Sequence, residues 1–244
     1  MTVRVGVLGA GGRMGRTVCD AVQEADGLEL VAEVDVDDDL DAFVDAGATV
    51  VVDFTVIDAA RKNLPWLAEH GIHAVVGTSG FGDDDLDALR AAFTTSNCLV
   101  AANFAIGAVL SMRFAELAAP FFETAEVLEL HHDGKKDAPS GTAMATVARM
   151  AAASAEWAPD PTENEVAPGA RGGTAAGGIH VHAVRLRGVI ASQEVILGTT
   201  GQTLSIRHDT FDRTSFMPGV VLACRKVSDL PDRLTTGIDS LLGV

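Results

Sequence analysis

Residues 3–15 read VRVGVLGAGGRMG, and this stretch decides the fold. Residues 3–8 form a short apolar run rich in β-branched side chains, which predicts a buried strand. Glycines follow at positions 9, 11, 12 and 15, and residues 17–24 have the pattern of a helix. A glycine turn between a strand and a helix lets the backbone approach a pyrophosphate at the helix N-terminus. The stretch therefore predicts a dinucleotide-binding turn.

Strands and helices continue to alternate through roughly the first hundred residues. Apolar runs at residues 28–35, 49–54, 73–77 and 98–102 predict strands, and residues 59–69 and 84–93 predict helices. Because alternating strands and helices form parallel sheets with right-handed crossovers, the predicted fold class is α/β, with a Rossmann-like doubly wound parallel sheet.

The pattern changes after Asn103. Helices are predicted at residues 108–122 and 142–157, a strand at 125–130, and a long loop rich in proline and glycine at 157–178. Residues 179–187, 189–197 and 203–208 alternate apolar and polar side chains, which predicts antiparallel strands. We expect a dinucleotide-binding domain of residues 1–104, completed by residues 213–244, and a second, α+β domain of residues 105–212.

Asp35 lies twenty residues after Gly15, at the end of the second predicted strand. An acid at this place accepts hydrogen bonds from the ribose hydroxyls of a dinucleotide. Its charge repels a ribose 2′-phosphate, so the expected cofactor is NADH rather than NADPH. Arg13 and Arg16 begin the first helix and could reach a 2′-phosphate, which leaves NADPH as the open alternative.

The densest group of reactive side chains is at residues 129–142, which read ELHHDGKKDAPSGT. His131, His132 and Lys135 supply a titratable acid and a cationic anchor near neutral pH. The turn at residues 139–142 precedes an alanine-rich helix and has free amides and hydroxyls for an anion such as a carboxylate. For Ser140, an N-cap without ligand contact is an equally good interpretation. Adjacent histidines rarely ligate one ion, so we expect no metal.

Composition limits the possible partners. The formal net charge of −16 over 244 residues repels nucleic acid and acidic membrane surfaces. Cys19, Cys98 and Cys224 are far apart and in no CxxC arrangement, which indicates buried free thiols in a reducing compartment. No apolar stretch approaches the roughly 18 residues that span a bilayer. We expect a cytoplasmic protein with a small-molecule substrate. His180 and His182, which alternate on one predicted strand, have a structural or subunit-contact role in this interpretation.

Four motifs resemble those of the 4-hydroxy-tetrahydrodipicolinate reductase (dihydrodipicolinate reductase) family. They are VGVLGAGGRMG, GTSGF at residues 77–81, AANFAIG at 101–107 and ELHH-x-x-K-x-DAPSGTA, in the family's order along essentially the whole chain. The resemblance implies an oxidoreductase that uses NAD(P)H to reduce 4-hydroxy-tetrahydrodipicolinate, via dihydrodipicolinate, to tetrahydrodipicolinate in lysine and diaminopimelate biosynthesis. It also implies a homotetramer with contacts through the strands of the second domain.

The resemblance further implies roles for individual residues. His131 is the expected proton donor or acceptor, and Lys135 is a proton donor that also holds substrate. The substrate-binding residues are His132, Lys135, Gly141 and Thr142, to which the anion-binding turn adds Ser140. The cofactor-binding residues are Gly9, Ala10, Gly11, Gly12, Arg13, Met14, Asp35, Gly77, Thr78, Ser79, Ala101, Ala102, Asn103 and Phe104.

Two departures from the family pattern stand out. Ser79 replaces the usual threonine but keeps the hydroxyl. Asp133-Gly134 lies where many relatives have bulkier or basic residues, which adds a carboxylate beside the histidine pair that would repel a dicarboxylate substrate.

Two other functions remain as alternatives. An aspartate-type dehydrogenase could share the nucleotide-binding half, but it would need different residues at 131–142. A dinucleotide-sensing regulator would need a basic recognition helix for DNA, and this acidic chain shows none.

Overall fold

The computed structural model describes residues 2–243, which form two compact units. The first unit contains the chain up to Ile106 and from Arg213 onward, and the second runs from Gly107 to Asp212. The first has a six-stranded sheet and the second a five-stranded sheet. The predicted fold class, a Rossmann-like parallel sheet with a second α+β part, is confirmed.

The first unit begins with alternating strands and helices: β1 (Val3–Leu8), α1 (Arg13–Glu24), β2 (Leu28–Val34), α2 (Asp41–Asp45), β3 (Val50–Asp53), α3 (Ile57–Glu69), β4 (His73–Val76), α4 (Asp83–Ala92) and β5 (Cys98–Val100). All of these strands pair in parallel, in the order β2-β1-β3-β4-β5. Strands β3 to β5 are almost wholly buried, as expected for a sheet covered by helices on both faces. The strand order reverses between β1 and β3, and doubly wound sheets bind ligands beyond the carboxyl ends of strands at such a point.

The second unit is a mixed sheet packed against helices. Its elements are α5 (Ile106–Ala118), β6 (Thr124–His131), α6 (Gly141–Ala153), β7 (Gly173–Thr174), β8 (His180–Arg185), β9 (Ala191–Thr199) and β10 (Gln202–Thr210). The sheet order is β10-β9-β6-β8-β7. Alternate residues of β6 and β9, among them Val127 and Val195, pack with Val147 and Met150 of α6 in a common core.

The three predicted strands do alternate in direction, but β8 and β9 are not neighbours in the sheet. Strand β9 pairs antiparallel with both β6 and β10, whereas β8 pairs in parallel with β6 and antiparallel with β7. Alternating polarity reports that one face of a strand is covered, and it carries no information about strand direction. The direction of β8 follows from α6 and the long loop after it, which form the crossover that a parallel pair requires.

The chain after Arg213 completes the first unit with α7 (Met217–Lys226), β11 (Leu234–Thr236) and α8 (Asp239–Leu242). Strand β11 extends the sheet by pairing in parallel with β5. The buried side chain of Asn97 donates hydrogen bonds to the carbonyls of Val227 and Leu230, at 2.9 and 3.1 Å. These contacts fasten the returning segment to the sheet. Within residues 2–243, no helix is both long enough and apolar enough to cross a membrane.

Candidate active site

The glycine turn lies at the carboxyl end of β1, next to the point where the strand order reverses. A Cβ at Gly15 would lie 2.0 Å from the carbonyl oxygen of Gly9, so only glycine lets α1 begin this close to the turn. Gly9 itself has a φ of +72°, the left-handed conformation that glycine adopts without strain. The close approach predicted from the glycine spacing therefore has a direct geometric cause.

The N-terminus of α1 is open to an anion. Its N-cap is Gly12, no side chain of the described residues caps it, and its first turn contains no acid. Arg13 and Arg16 are exposed on that turn. Free backbone amides and the helix dipole favour a phosphate at this position, so the residues present fit the pyrophosphate of a dinucleotide.

Asp35 connects the end of β2 to this turn. Its Oδ2 accepts a hydrogen bond from the Gly11 amide at 2.9 Å, and its Oδ1 accepts one from the Val36 amide at the same distance. The carboxylate is exposed beside a cavity of about 540 Å³. The cavity is lined by residues that include Gly9, Gly12, Asp35, Phe54, Asp58 and Lys62. Asp58 and Lys62 had no role in the sequence analysis, although their helix follows β3 at the predicted ligand edge.

A buried aspartate organises the ends of β3 and β4. Asp53 is fully buried, and its Oδ1 accepts hydrogen bonds from the hydroxyls of Thr55 and Thr78, both at 2.7 Å. The Thr78 hydroxyl in turn accepts the Thr55 amide at 2.9 Å. The hydroxyl of Thr78, a predicted cofactor residue, is thus already hydrogen-bonded within the protein, whereas Ser79 beside it is exposed. Asp53 was not predicted to contribute to the site.

Two further predicted cofactor residues, Gly77 and Phe104, lie against Phe54. A Cβ at Gly77 would lie 2.1 Å from the Phe54 ring, so Gly77 makes room for that ring. The Phe54 and Phe104 rings pack with their centroids 5.7 Å apart. In the 101–104 segment, Ala101 and Phe104 are buried, Ala102 is exposed and Asn103 is half-buried. Gly77 and the 101–104 segment are therefore connected through an aromatic side chain that the sequence analysis did not select.

The second set of predicted residues begins at the end of β6. Nδ1 of His131 donates a hydrogen bond to Oε2 of Glu129 at 2.6 Å, and the Glu129 side chain is fully buried. Arg185 donates to both carboxylate oxygens of Glu129, at 2.8 and 2.9 Å. Burial alone would raise the pKa of Glu129, but the hydrogen bonds from Arg185 and His131 outweigh it and hold that pKa below its usual range. The carboxylate is therefore ionised at neutral pH.

Lys135 lies on the turn that follows His132. Its Nζ donates to both oxygens of the Asp137 carboxylate at 2.8 Å, and this bond lowers the pKa of Asp137. The Lys135 amide donates to the His132 carbonyl at 3.1 Å, which closes the turn. Asp133 forms an exposed ion pair with Arg187 at 2.8 Å and is not the carboxylate that binds His131. The charge beside His131 comes from Glu129.

The turn before α6 contains an N-cap at Ser140, which is one of the two interpretations that the sequence left open for that residue. Ser140 is buried and is the N-cap of α6, because its hydroxyl oxygen accepts the Ala143 amide at 3.2 Å. Its own amide donates to Oε1 of Glu129 at 2.9 Å. Gly141 is exposed and Thr142 is half-buried at the first turn of the helix. His131, Lys135 and this turn are thus connected through Glu129, Arg185 and Asp137.

A separate ionic cluster lies at the other end of the same strand. Glu126 accepts hydrogen bonds from Nε2 of His182, at 2.7 Å, and from Arg171, and His180 lies 3.2 Å from Asp160. The cluster fastens the loop after α6 to the sheet, and it borders a cavity of about 500 Å³. Among residues 2–243, no group of three or more potential metal ligands is present.

Comparison with known proteins gives one family for both units. Family profiles described as "Dihydrodipicolinate reductase, N-terminus" and "Dihydrodipicolinate reductase, C-terminus" match residues 3–104 and 107–242. The chain belongs to the dihydrodipicolinate reductase family. A 4-hydroxy-tetrahydrodipicolinate reductase from Nocardia farcinica is 55% identical over an alignment of 249 positions, which covers 99% of this chain and 99% of the relative. The predicted family and the reductase class are confirmed.

Solved structures agree with this family. A dipicolinate-bound dihydrodipicolinate reductase from Paenisporosarcina sp. TG-14 is 34% identical, with a TM-score of 0.87 over 98% of this chain and 99% of that one. An aspartate dehydrogenase from Thermotoga maritima is 9% identical, with a TM-score of 0.51 over 93% of this chain and 97% of that one. This second likeness extends to the fold alone, so the family and the motifs at residues 129–142 separate the chain from the aspartate-type alternative.

Proposed function

We propose that the chain catalyses the NAD(P)H-dependent reduction of 4-hydroxy-tetrahydrodipicolinate, via dihydrodipicolinate, to tetrahydrodipicolinate in lysine and diaminopimelate biosynthesis. The observation that carries this proposal is the grouping of His131, Lys135 and the open turn before α6 around the buried Glu129 carboxylate. A titratable ring, an ammonium group and free amides together suit an anionic substrate that must gain a proton.

The substrate-binding residues in this proposal are His132, Lys135, Ser140, Gly141 and Thr142. A cyclic dicarboxylate presents two planar anionic groups, and the amides at the start of α6 suit one of them. Ser140 contributes through the backbone geometry of the turn, because its hydroxyl already caps the helix. Lys135 can attract a carboxylate while it stays near Asp137, since an ammonium group has three donors. The dipicolinate bound in the Paenisporosarcina relative supports a dicarboxylate ligand.

His131 and Lys135 are the proposed proton donors. A bound nicotinamide would supply a hydride to C4 of the unsaturated ring. As the new C4–H bond formed, the π electrons of the conjugated imine would shift toward the ring nitrogen, and the resulting anionic enamine would need a proton. Because Nδ1 of His131 donates to Glu129, its Nε2 is the ring atom that can carry and release this proton. Lys135 Nζ is the alternative donor, on a side chain that is one-fifth exposed.

The proposed cofactor-binding set is Gly9 to Met14, Asp35, Gly77 to Ser79 and Ala101 to Phe104, within a domain of residues 1–104 and 213–244. We propose NADH as the favoured cofactor. Asp35, Asp38 and Asp58 all border the nucleotide cavity, and their charges disfavour a 2′-phosphate. Lys62 borders the same cavity, and Arg13 lies on the first turn of α1. These two cations are the residues that could bind the 2′-phosphate if NADPH is used instead.

We also propose a cytoplasmic homotetramer whose contacts run through the strands of the second unit, residues 105–212. The half-buried outward face of that sheet, which includes Leu128, Leu130 and Ile196, supports a contact between subunits. Burial of Cys19 and Cys224 raises the pKa of each thiol to about 12, which suits unreactive cysteines in a reducing compartment. The net charge of −16 argues against nucleic-acid and membrane partners.

The test is oxidation of NADH and NADPH by the purified protein. The substrate is generated in the cuvette by the synthase that catalyses the preceding step of the pathway. His131→Ala and Lys135→Ala should each lower kcat by roughly 10²- to 10⁴-fold, the usual contribution of a positioned proton donor. His182→Ala and Lys136→Ala are the matched controls and should keep near wild-type rates. The ratio of kcat/KM for the two cofactors tests the roles of Asp35 and Arg13. Cofactor binding without oxidation would mean that the substrate is another one.

A further inference from the structure

Glu129 is a fully buried carboxylate whose hydrogen-bond partners are all donors. Its Oε2 accepts from His131 Nδ1 and Arg185, and its Oε1 accepts from Arg185 and the Ser140 amide. The four distances lie between 2.6 and 2.9 Å. A buried carboxylate without partners is strongly unfavourable, so this complete set of donors is what allows Glu129 to remain charged in the core.

The first consequence concerns the proton on the His131 ring. An ionised carboxylate can only accept hydrogen bonds, so Nδ1 of His131 must carry its proton when it faces Glu129. In the neutral ring, Nε2 is then the unprotonated nitrogen. The His131 ring is only about one-fifth exposed, and the bond to Glu129 also restricts its rotation. Glu129 thus selects both the tautomer and the orientation of the ring.

The second consequence concerns the turn before α6. The Ser140 amide binds Oε1 of Glu129, and Arg185 extends from Glu129 to the Asp137 carbonyl at 2.6 Å. Residues 137 and 140 are therefore both fastened, directly or through Arg185, to the carboxylate that orients His131. This arrangement keeps the open amides at the start of α6 in a constant position relative to the ring.

We propose that Glu129 is a positioning residue, which holds His131 as the Nδ1-protonated tautomer and keeps that ring in register with the anion-binding turn before α6. The inference rests on the proposed function for its catalytic consequence, whereas the tautomer itself is a property of the protein alone. Glu129 makes no contact with substrate in this proposal and acts through His131 and Ser140.

Glutamine cannot replace Glu129 without loss. Because every partner is a donor, the amide group of Glu129→Gln must face at least one N–H group in either orientation. If it faces His131, the ring must accept a hydrogen bond at Nδ1 and move its proton to Nε2. If it faces Ser140 and Arg185, the hydrogen bond from the Ser140 backbone amide, which fastens the turn, is lost. Glu129→Asp keeps the charge but shortens the side chain by one methylene.

The matched control is Glu126→Gln. Glu126 lies on the same strand and also binds one histidine and one arginine, His182 and Arg171, but none of the residues assigned to the reaction. It therefore removes a comparable set of contacts from the same sheet. A structural loss common to the strand would appear in both glutamine variants, whereas a positioning role appears only at Glu129.

The experiment combines nuclear magnetic resonance of histidine ring nitrogens with steady-state kinetics on the full-length protein. The His131 signals are assigned by their absence in His131→Asn. Wild-type protein should show the Nδ1-protonated tautomer. Glu129→Gln should lose that tautomer if its amide nitrogen faces His131, and should instead lose the hydrogen bond from the Ser140 amide if it faces Ser140. The kcat of Glu129→Gln should fall at least roughly 10- to 100-fold, by analogy with the loss when the carboxylate partner of a metal-ligating histidine is removed, while the KM for NADH stays unchanged. Glu129→Asp should recover part of kcat, and Glu126→Gln should match the wild type.

Three results would overturn the proposal: an Nε2-protonated His131 in the wild type, an unchanged tautomer and kcat in Glu129→Gln, or equal losses in Glu126→Gln. If Glu129→Gln does not fold, the wild-type tautomer and the Glu129→Asp kinetics still decide. Absence of turnover in the wild type would instead refute the proposed function. The wild-type tautomer, and the loss of that tautomer or of the Ser140 hydrogen bond in Glu129→Gln, would then support or overturn the positioning role alone.

Discussion

At the glycine turn of the first unit, a Cβ on Gly15 would lie 2.0 Å from a backbone oxygen, and backbone amides form the proposed anion site. At the histidine cluster of the second unit, Gly141 has no atom within 4 Å of its would-be Cβ, and four hydrogen bonds to Glu129 hold the residues in place. One site is shaped by close backbone approach and the other by a buried charge. The glycine turn should therefore be disrupted by substitutions that add atoms, and the histidine cluster by substitutions that remove a charge.

The largest expected effect is at Gly15. Gly15→Ala places a methyl group against the Gly9 carbonyl, and because that atom is backbone, the turn must move. We expect a loss of about 3 kcal/mol in the free energy of unfolding, at the upper end of overpacking costs, and loss of dinucleotide binding. Chemical denaturation and titration of NADH fluorescence measure the two quantities.

Gly141→Ala is the control for that prediction, because its Cβ would enter open space and its backbone is not in the left-handed region. Its stability should stay at or slightly above the wild-type value, as alanine favours a helix more than glycine does. Wild-type stability and NADH affinity in Gly15→Ala would show that the turn adjusts freely, and the proposed difference between the two sites would then be lost.

The next effect is the removal of a charge in the second unit. Arg185→Met leaves the fully buried Glu129 without its arginine, although His131 and Ser140 still donate to it. We expect a loss of about 2 kcal/mol in the free energy of unfolding, below the usual cost of breaking a buried pair because Arg185 is partly exposed. Urea denaturation measures this loss.

Arg187→Met is the control for Arg185, since the Arg187–Asp133 pair is exposed and solvent screens it. Its unfolding curve should overlay that of the wild type. Equal losses of unfolding free energy in the two variants would mean that burial of Glu129 does not strengthen its pair with Arg185. A general destabilisation of this part of the sheet would then explain both results.

The smallest expected effect is a loss of stability at mildly acidic pH, to which one histidine in each unit contributes. Burial lowers the pKa of His73 in the first unit, where its Nδ1 accepts the Asn97 amide, and burial also lowers the pKa of His208 in the second. A lowered folded-state pKa means that stability is present above the ordinary value of 6.5 and is lost as the pH falls below it, toward the folded-state pKa. The loss from each group should be small, because both rings are only partly buried and solvent screens their charge.

The pH dependence is measured as the free energy of unfolding between neutral and mildly acidic pH. His73→Gln keeps an acceptor for the Asn97 amide and should flatten part of the slope, and His208→Gln should flatten another part. A slope that survives in the double variant would place the acid sensitivity at other groups. It would then have to come from carboxylates such as Glu129, whose lowered pKa contributes stability that disappears only under more acidic conditions.

Much of the first unit could be predicted because its signals are local. The run at residues 3–8, the glycine turn and Asp35 lie within one strand–helix–strand unit, and the structure has strands and a helix at those positions. Strand β11 was missed because three residues are too short for a periodic pattern. Asp53 was missed because its role depends on Thr78, on the neighbouring strand.

The second unit shows what only the tertiary structure decided. His131, Lys135 and the turn before α6 follow one another in the chain, so the sequence alone was enough to select them. Glu129 was quoted in that motif without a role, and Arg185, 56 residues later, gave no signal at all. The parallel pairing of β6 and β8 brings Arg185 opposite His131. Local order determines which groups are available, but burial and strand pairing determine which of them meet, since charges in a core are stable only beside partners that the fold supplies.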